Sequence, residues 1–211
     1  MKKSNFLRCV VIFLFVLALN GCVSMSNSPT PKFYMPVSLE KDQANQKIDI
    51  TPGVIIAVGP IGIPEYLDRP QIVTKNNNGT LHFAQFDRWG EPLDSALNRM
   101  LIDDLAVMLP SASFQFFPCS FTIPLDYHVI ADVVRLDSEL SKDMVLDIQW
   151  SIIDSKSKKM ILTKRSEIRE AIDPHNYFGV SKALSAVCVA LSREIAESLS
   201  SISSRPKVIK S

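Results

Sequence analysis

The first 22 residues constrain this chain more than any other stretch. Lys2, Lys3 and Arg8 give a basic start, and no acidic residue occurs before position 22. An uninterrupted apolar run follows from Val10 to Leu19. As a helix that run spans only about 15 Å, roughly half of a hydrocarbon core, so it is too short to cross a bilayer. A basic start ahead of a short apolar core is the pattern of a secretory signal peptide. The usual pair of small residues at the cleavage site is missing. The run closes instead on Leu19-Asn20-Gly21-Cys22, which looks like a lipobox. Gly21 keeps the backbone slim at the bond to be cut, and Cys22 offers a thiol for diacylglycerol. Residues 1–21 are expected to be removed, so the fold must be built from Cys22 onward, outside the cytoplasm.

Of the 211 residues, 21 belong to this leader, and the remaining 190 suit one domain with a substantial core. Three of the 23 Lys and Arg lie in the leader, leaving 20 against 22 Asp and Glu. That mildly acidic balance, with no basic stripe, gives no footprint for nucleic acid. Four cysteines are present. Cys9 leaves with the leader and Cys22 takes lipid. Cys119 and Cys188 are candidates for an intrachain disulfide in an oxidising compartment, or for two buried free thiols. No Cys-x-x-Cys or His/Cys cluster occurs, so no metal site and no cofactor is expected.

Residues 22–32 read as a polar, proline-containing tether, residues 33–204 as one domain, and residues 205–211 as a polar tail. Phe33-Tyr34-Met35 predicts a short first strand, and residues 38–51 a loop. Gly53 to Val58 is β-branched and apolar, as in a central strand. Gly59-Pro60-Ile61-Gly62-Ile63-Pro64 is expected to end it. Gln71–Lys75 and Thr80–Phe86, joined by the turn 76–79 with its Asn-Gly pair, predict a hairpin. Pro92 opens a helix in which Leu93, Leu97, Met100, Leu101, Leu105 and Met108 share one face, and Leu109-Pro110 ends it. Tyr127–Leu136, Met144–Asp154 and Met160–Ile168 predict strands, the last two forming a hairpin. A long helix follows from about Tyr177 to Ile202, with a stripe of Leu184, Val187, Cys188, Leu191, Ile195, Leu199 and Ile202. The order predicts an α+β fold: an antiparallel or mixed sheet with two long helices packed on one face.

Enzyme signatures are missing: there is no nucleophile elbow, phosphate-binding glycine loop or His-Glu-x-x-His helix. His82, His128 and His175 lie in unrelated contexts. Asp103 and Asp104 are adjacent on a helix and point in different directions, a poor carboxylate pair. Lys156, Lys158, Lys159, Lys164 and Arg165 read as a solvated hairpin. Two segments are less ordinary. Pro64-Glu65-Tyr66-Leu67-Asp68-Arg69-Pro70 combines an aromatic, two opposite charges and two stiffening prolines. Trp89-Gly90-Glu91-Pro92-Leu93 sets a large aromatic at a helix entrance. Tyr66, Leu67, Asp68, Arg69 and Trp89 are the candidate partner-binding residues. The other reading is packing, with Tyr66 and Trp89 covering the end of the sheet.

With these residues in place, the chain resembles the ABC-type transport auxiliary lipoproteins, also called the PqiC/YmbA type. The resemblance is carried by Cys22 in its lipobox and by the early Phe33-Tyr34 strand. It is also carried by the segment Ile63 to Pro70 and by Trp89-Gly90-Glu91-Pro92-Leu93 leading into a helix that ends at Leu109-Pro110. It covers most of the mature chain, by short motifs in the first half and by pattern in the second. It implies a non-catalytic part of an envelope system that moves lipids or other apolar compounds between membranes. Its lipid would sit in the inner leaflet of the outer membrane, on the periplasmic face. The absence of Asp at Val23 and Ser24 agrees with outer-membrane rather than inner-membrane sorting. The partner it implies is an MCE-domain periplasmic protein, and relatives suggest a ring-like homo-oligomer. The rival readings are a structural envelope lipoprotein of another assembly and an envelope hydrolase.

Overall fold

The computed structural model describes residues 29–40, 47–76, 78–118 and 124–204. The leader, Cys22, Cys119 and the tail 205–211 lie outside these residues. The chain divides into two compact units, residues 1–30 and 31–211. Only Pro29 and Thr30 of the first are described, and every element below belongs to the second.

In order, the elements are β1 (Lys32–Tyr34), β2 (Ile55–Gly62), a 3-10 turn (Glu65–Leu67), β3 (Gln71–Lys75), β4 (Leu81–Trp89) and α1 (Leu93–Met108). There follow β5 (Ser113–Phe116), β6 (Tyr127–Ser138), β7 (Asp143–Asp154), β8 (Lys159–Ala171) and α2 (Tyr177–Ser203). Five strands form one sheet in the order β5-β2-β6-β7-β8, and three form a second, β1-β4-β3. In the larger sheet β2 runs parallel to both neighbours, and β6, β7 and β8 are antiparallel. In the smaller, β1 is parallel and β3 antiparallel to β4. The expected α+β class is borne out, with the strands shared between two mixed sheets. No helix among the described residues is long and apolar enough to cross a membrane.

Both helices pack on the larger sheet and on each other, α1 over β2 and β5, α2 over β7 and β8. The periodic stripes explain this. Leu97, Met100, Leu101, Leu105 and Met108 of α1, and Leu184, Val187, Cys188, Leu191, Ile195 and Leu199 of α2, are all at most 2 % exposed. Side chains of this size each contribute about 1.5–3 kcal/mol when fully buried. At the start of α2 the Asn176 side chain accepts a hydrogen bond from the Gly179 N–H at 3.0 Å, satisfying a donor that the helix itself cannot.

Strand β7 shows the two faces of the sheet. Its even-numbered residues Met144, Leu146, Ile148, Trp150 and Ile152 are buried toward the helices. They pair with Leu136, Val133, Ala131 and Val129 of β6 on the same side. The Trp150 indole donates to Ser166 Oγ at 3.0 Å, and that hydroxyl donates to Glu194 of α2 at 2.6 Å. The odd-numbered side carries charge instead. Asp147 receives a forked pair of hydrogen bonds from Arg165, both 2.8 Å, which holds its carboxyl below the usual carboxylate range. Arg135 reaches Asp147 at 3.4 Å, Asp137 at 3.2 Å and Glu167 at 2.8 Å. Arg169 binds Asp143 at 2.6 Å, and Lys75 comes across from β3 to Asp137 at 2.9 Å.

Two local expectations are corrected. Strand β2 does not stop at Val58 but continues through Gly59-Pro60 to Gly62, with a register shift between Val58 and Ile61. The bulge absorbs the proline, whose missing N–H is not needed there. Gly59 has φ +101°, and a Cβ on it would stand 2.6 Å from the Asn98 side chain of α1, so only glycine fits. Strand β4 runs past Phe86 to Trp89, which makes Trp89 a sheet residue rather than a helix entrance. Strand β5, a stretch to which the sequence assigns no element, extends the sheet beside β2.

Candidate functional site

The two conspicuous segments of the sequence come together. Pro64, with φ −59°, leads into the turn Glu65–Leu67, closed by Leu67 N–H to the Pro64 carbonyl at 2.9 Å. Arg69 N–H then bonds the Leu67 carbonyl at 2.8 Å, and the Pro70 carbonyl accepts from Trp89 N–H at 2.8 Å. That last bond brings Asp68, Arg69 and Pro70 against Trp89, Gly90, Glu91 and Pro92, which together line an open cleft of about 310 Å³.

The side chains divide in two. Leu67 and Trp89 are 3 % and 6 % exposed and belong to the core. Tyr66 is half-buried, and its hydroxyl accepts a hydrogen bond from the Leu136 N–H of β6 at 3.3 Å. Burial pushes its phenol above the ordinary range. These three side chains fasten the loop to the domain and offer little surface to a partner. Asp68 is exposed. Arg69 does not pair with it but lies over the Phe83 ring of β4 at 4.2 Å, a cation–π contact that aims a rigid guanidinium beside the cleft. Glu91, on the opposite rim, is gripped by Arg99 of α1 at 2.6 and 3.0 Å. The cleft therefore presents an outward carboxylate and a stacked guanidinium on a stiff frame.

The histidines stay apart. His82 is exposed on β4, and His175 is exposed before α2. His128 on β6 contacts the Gly59 carbonyl through Nε2 and packs on the Phe117 ring at 4.2 Å. Among the described residues no three His, Cys, Asp or Glu side chains are arranged to hold a metal. Cys188 is fully buried and unbridged among the described residues, and burial opposes its ionisation; the expected Cys119–Cys188 pairing falls on Cys119, outside them. Lys156, Lys158, Lys159, Lys164 and Arg165 are exposed along the β7–β8 hairpin, as expected of a solvated one.

A second region had no signal in the sequence. The segment Met35–Leu39 crosses α1 and α2 as a strap. Arg99 donates to the Pro36 carbonyl at 3.3 Å, Val37 N–H to Ser185 Oγ at 2.9 Å, and Ser38 Oγ to Asp103 at 2.9 Å. Leu39 N–H donates to Asp104 at 2.6 Å, and Ser192 Oγ to the same carboxylate at 3.3 Å. Asp104 is fully buried, and burial pushes its carboxyl up to about 6. The two adjacent aspartates do point in different directions, as their helical spacing required: Asp103 faces solvent and Asp104 faces the packed helix pair.

A crystal structure described only as an uncharacterized protein superposes with a TM-score of 0.67 at 17 % identity, covering 82 % of this chain and 100 % of the other. A Xanthomonas campestris protein of the family DUF330 superposes with a TM-score of 0.65 at 12 % identity, covering 82 % and 94 %. At such identities these likenesses establish the fold alone. No curated protein sequence is significantly similar to the chain. The family model described as the ABC-type transport auxiliary lipoprotein component matches residues 38–196, from the strap to the last third of α2. The chain belongs to the ABC-type transport auxiliary lipoprotein family.

Proposed function

We propose that this lipoprotein is a non-catalytic component of a cell-envelope system that moves lipids or other apolar compounds between membranes. Its lipid is carried on Cys22, and the domain stands on the periplasmic face of the outer membrane. There it docks an MCE-domain protein reaching across the periplasm, through the cleft between Asp68 and Pro92. The family match over residues 38–196 is the observation that carries this reading. The cleft supports it: a stiff rim with few rotamers to lose on docking, one exposed carboxylate and one stacked guanidinium are features of a recognition surface.

The test is crosslinking in cells. A photoreactive residue at position 92, exposed on the opposite rim, should capture the MCE-domain partner, and adding Asp68→Ala with Arg69→Ala should abolish capture while the purified variant keeps its melting temperature. A folded double variant that captures its partner at wild-type yield would refute the cleft as the docking site. Absence of any MCE-domain partner among the captured proteins would refute the wider reading.

A further inference from the structure

We propose that Phe33, Met35, Val37 and Phe178 form the face on which the domain rests on the bilayer that holds its own lipid. This rests on the reading of Cys22 as the lipidated residue and goes beyond it, because a tether alone does not say whether the domain touches the membrane.

The four side chains are 66 %, 58 %, 70 % and 57 % exposed, unusual for large apolar groups gathered at one place. Met35, Val37 and Phe178 line one apolar groove of about 490 Å³, walled further by Leu39, Ala186 and Val189. Phe33 lies two residues before Met35 and shares its outward side. The alternation runs opposite to ordinary burial. Tyr34 turns in and donates its hydroxyl to Asp87 at 2.7 Å, and Pro36 is buried. Four polar groups of the strap are bound to α1 and α2: the Pro36 carbonyl to Arg99, Val37 N–H to Ser185, Ser38 Oγ to Asp103 and Leu39 N–H to Asp104. The apolar residues therefore cannot swing inward without breaking those hydrogen bonds. They are held outward.

The length of chain before β1 selects the occupant. From Cys22 to Phe33 is eleven residues, at most about 40 Å fully extended. The point from which β1 emerges is therefore held within that distance of the lipid, and the patch lies beside it. Lys32 and Lys182 are exposed beside it, and neither forms an ion pair among the described residues, so both are free to meet anionic headgroups. Aromatic and aliphatic side chains rimmed by lysines suit the headgroup–acyl boundary.

Full-length lipidated protein in phosphatidylethanolamine–phosphatidylglycerol vesicles tests this. Phe178→Trp places a reporter in the patch. Met160→Trp is the control, 59 % exposed on β8, whose next residues Ile161 and Leu162 lie beside Glu197, Ser198 and Ile202 at the opposite end of α2 from Phe178, a helix about 40 Å long. The native Trp89 and Trp150 are buried and give a common background. With acyl-brominated lipids, F178W should lose most of its added emission and M160W almost none. Equal quenching of the two in floating vesicles overturns the proposal. So does an F178W signal that bromolipid leaves alone but that is shielded from aqueous iodide, which would place a second copy of the chain on the patch. A chain that does not float with vesicles at all refutes the anchored reading, and the proposal with it.

Discussion

Two parts of the surface invert what their sequences suggest. The segment Pro64–Pro70 with Trp89 is dense in aromatic and charged residues and stands out on first reading, yet its large side chains turn inward. Leu67 and Trp89 are core residues, and Tyr66 is tied to β6. The segment Phe33–Val37 reads as an unremarkable short strand, yet Phe33, Met35 and Val37 turn outward while the Tyr34 hydroxyl and the Val37 N–H turn in. The lesson is that residue type marks a segment as costly or valuable, but only the hydrogen bonds of its neighbours decide which way it faces. In the loop, backbone bonds to Pro64, Leu67 and Pro70 leave the side chains free to pack. In the strap, helix side chains capture the backbone and the apolar groups are left over.

Mutation can break this contrast, and the largest effect belongs to the loop. Trp89→Ala should destabilise by about 3–5 kcal/mol, the cost of emptying a buried aromatic site, read as a fall in urea midpoint with unchanged slope. A loss under 1 kcal/mol would mean that Trp89 is more exposed in solution than its position on β4 implies.

Next comes the buried carboxylate under the strap. Its pKa is raised from 3.8 to about 6 by burial, so in the native protein it binds its proton more tightly than in the unfolded chain. The stability linked to that proton is fully present below about pH 4 and is lost as pH rises through about 6. Above pH 7 the buried charge costs up to about 3 kcal/mol relative to the protonated form. Asp104→Asn keeps an acceptor for Leu39 N–H and adds a donor for Ser192. It should raise the melting temperature relative to wild type at pH 8, with the gain shrinking through pH 6 and gone by pH 4. A constant difference across that range would show that the carboxyl titrates normally.

Tyr66→Phe removes only the acceptor for Leu136 N–H and should cost about 1 kcal/mol in thermal denaturation. Phe178→Ser should be the mildest, within about 0.5 kcal/mol of wild type, because the ring is mostly in solvent already. A larger loss would turn the outward patch into a structural one and erase the contrast between the two regions.

What could be read in advance follows from period and from local breakers. The stripes of α1 and α2 repeat at helical spacing over many residues, and the β7–β8 hairpin alternates about a polar turn, so both were legible. Strand β5 was not: Ser113-Phe114-Gln115-Phe116 is too short to show a period and is ordered by lying beside β2. The passage through Gly59-Pro60 is not legible because proline and glycine argue for a break, and only the bulge against β6 and the close approach of Asn98 show why they are tolerated. At the cleft, the proximity of Asp68–Pro70 to Trp89–Pro92 depends on the β3–β4 pairing continuing past Phe86, with Gln71 beside Arg88 and the Trp89-to-Pro70 bond beyond it, and the hairpin expected from the sequence stops short of that. Asp104 gave no signal because adjacent aspartates usually mark a solvated helix face.

The charged ladder on the open side of the larger sheet also acts as a proofreader of strand alignment. Arg135, Asp147, Arg165, Glu167 and Arg169 all lie on one side because β6, β7 and β8 meet in one particular register. If β8 slipped by a single residue along β7, Arg165, Glu167 and Arg169 would be thrown under the helices, and Ser166 and Ile168 would be turned out to water. Each misaligned pairing would thus bury several unpartnered charges at once, a penalty far larger than the modest gain of any one ion pair. The ladder's main contribution is therefore to make wrong alignments prohibitive, more than to strengthen the right one.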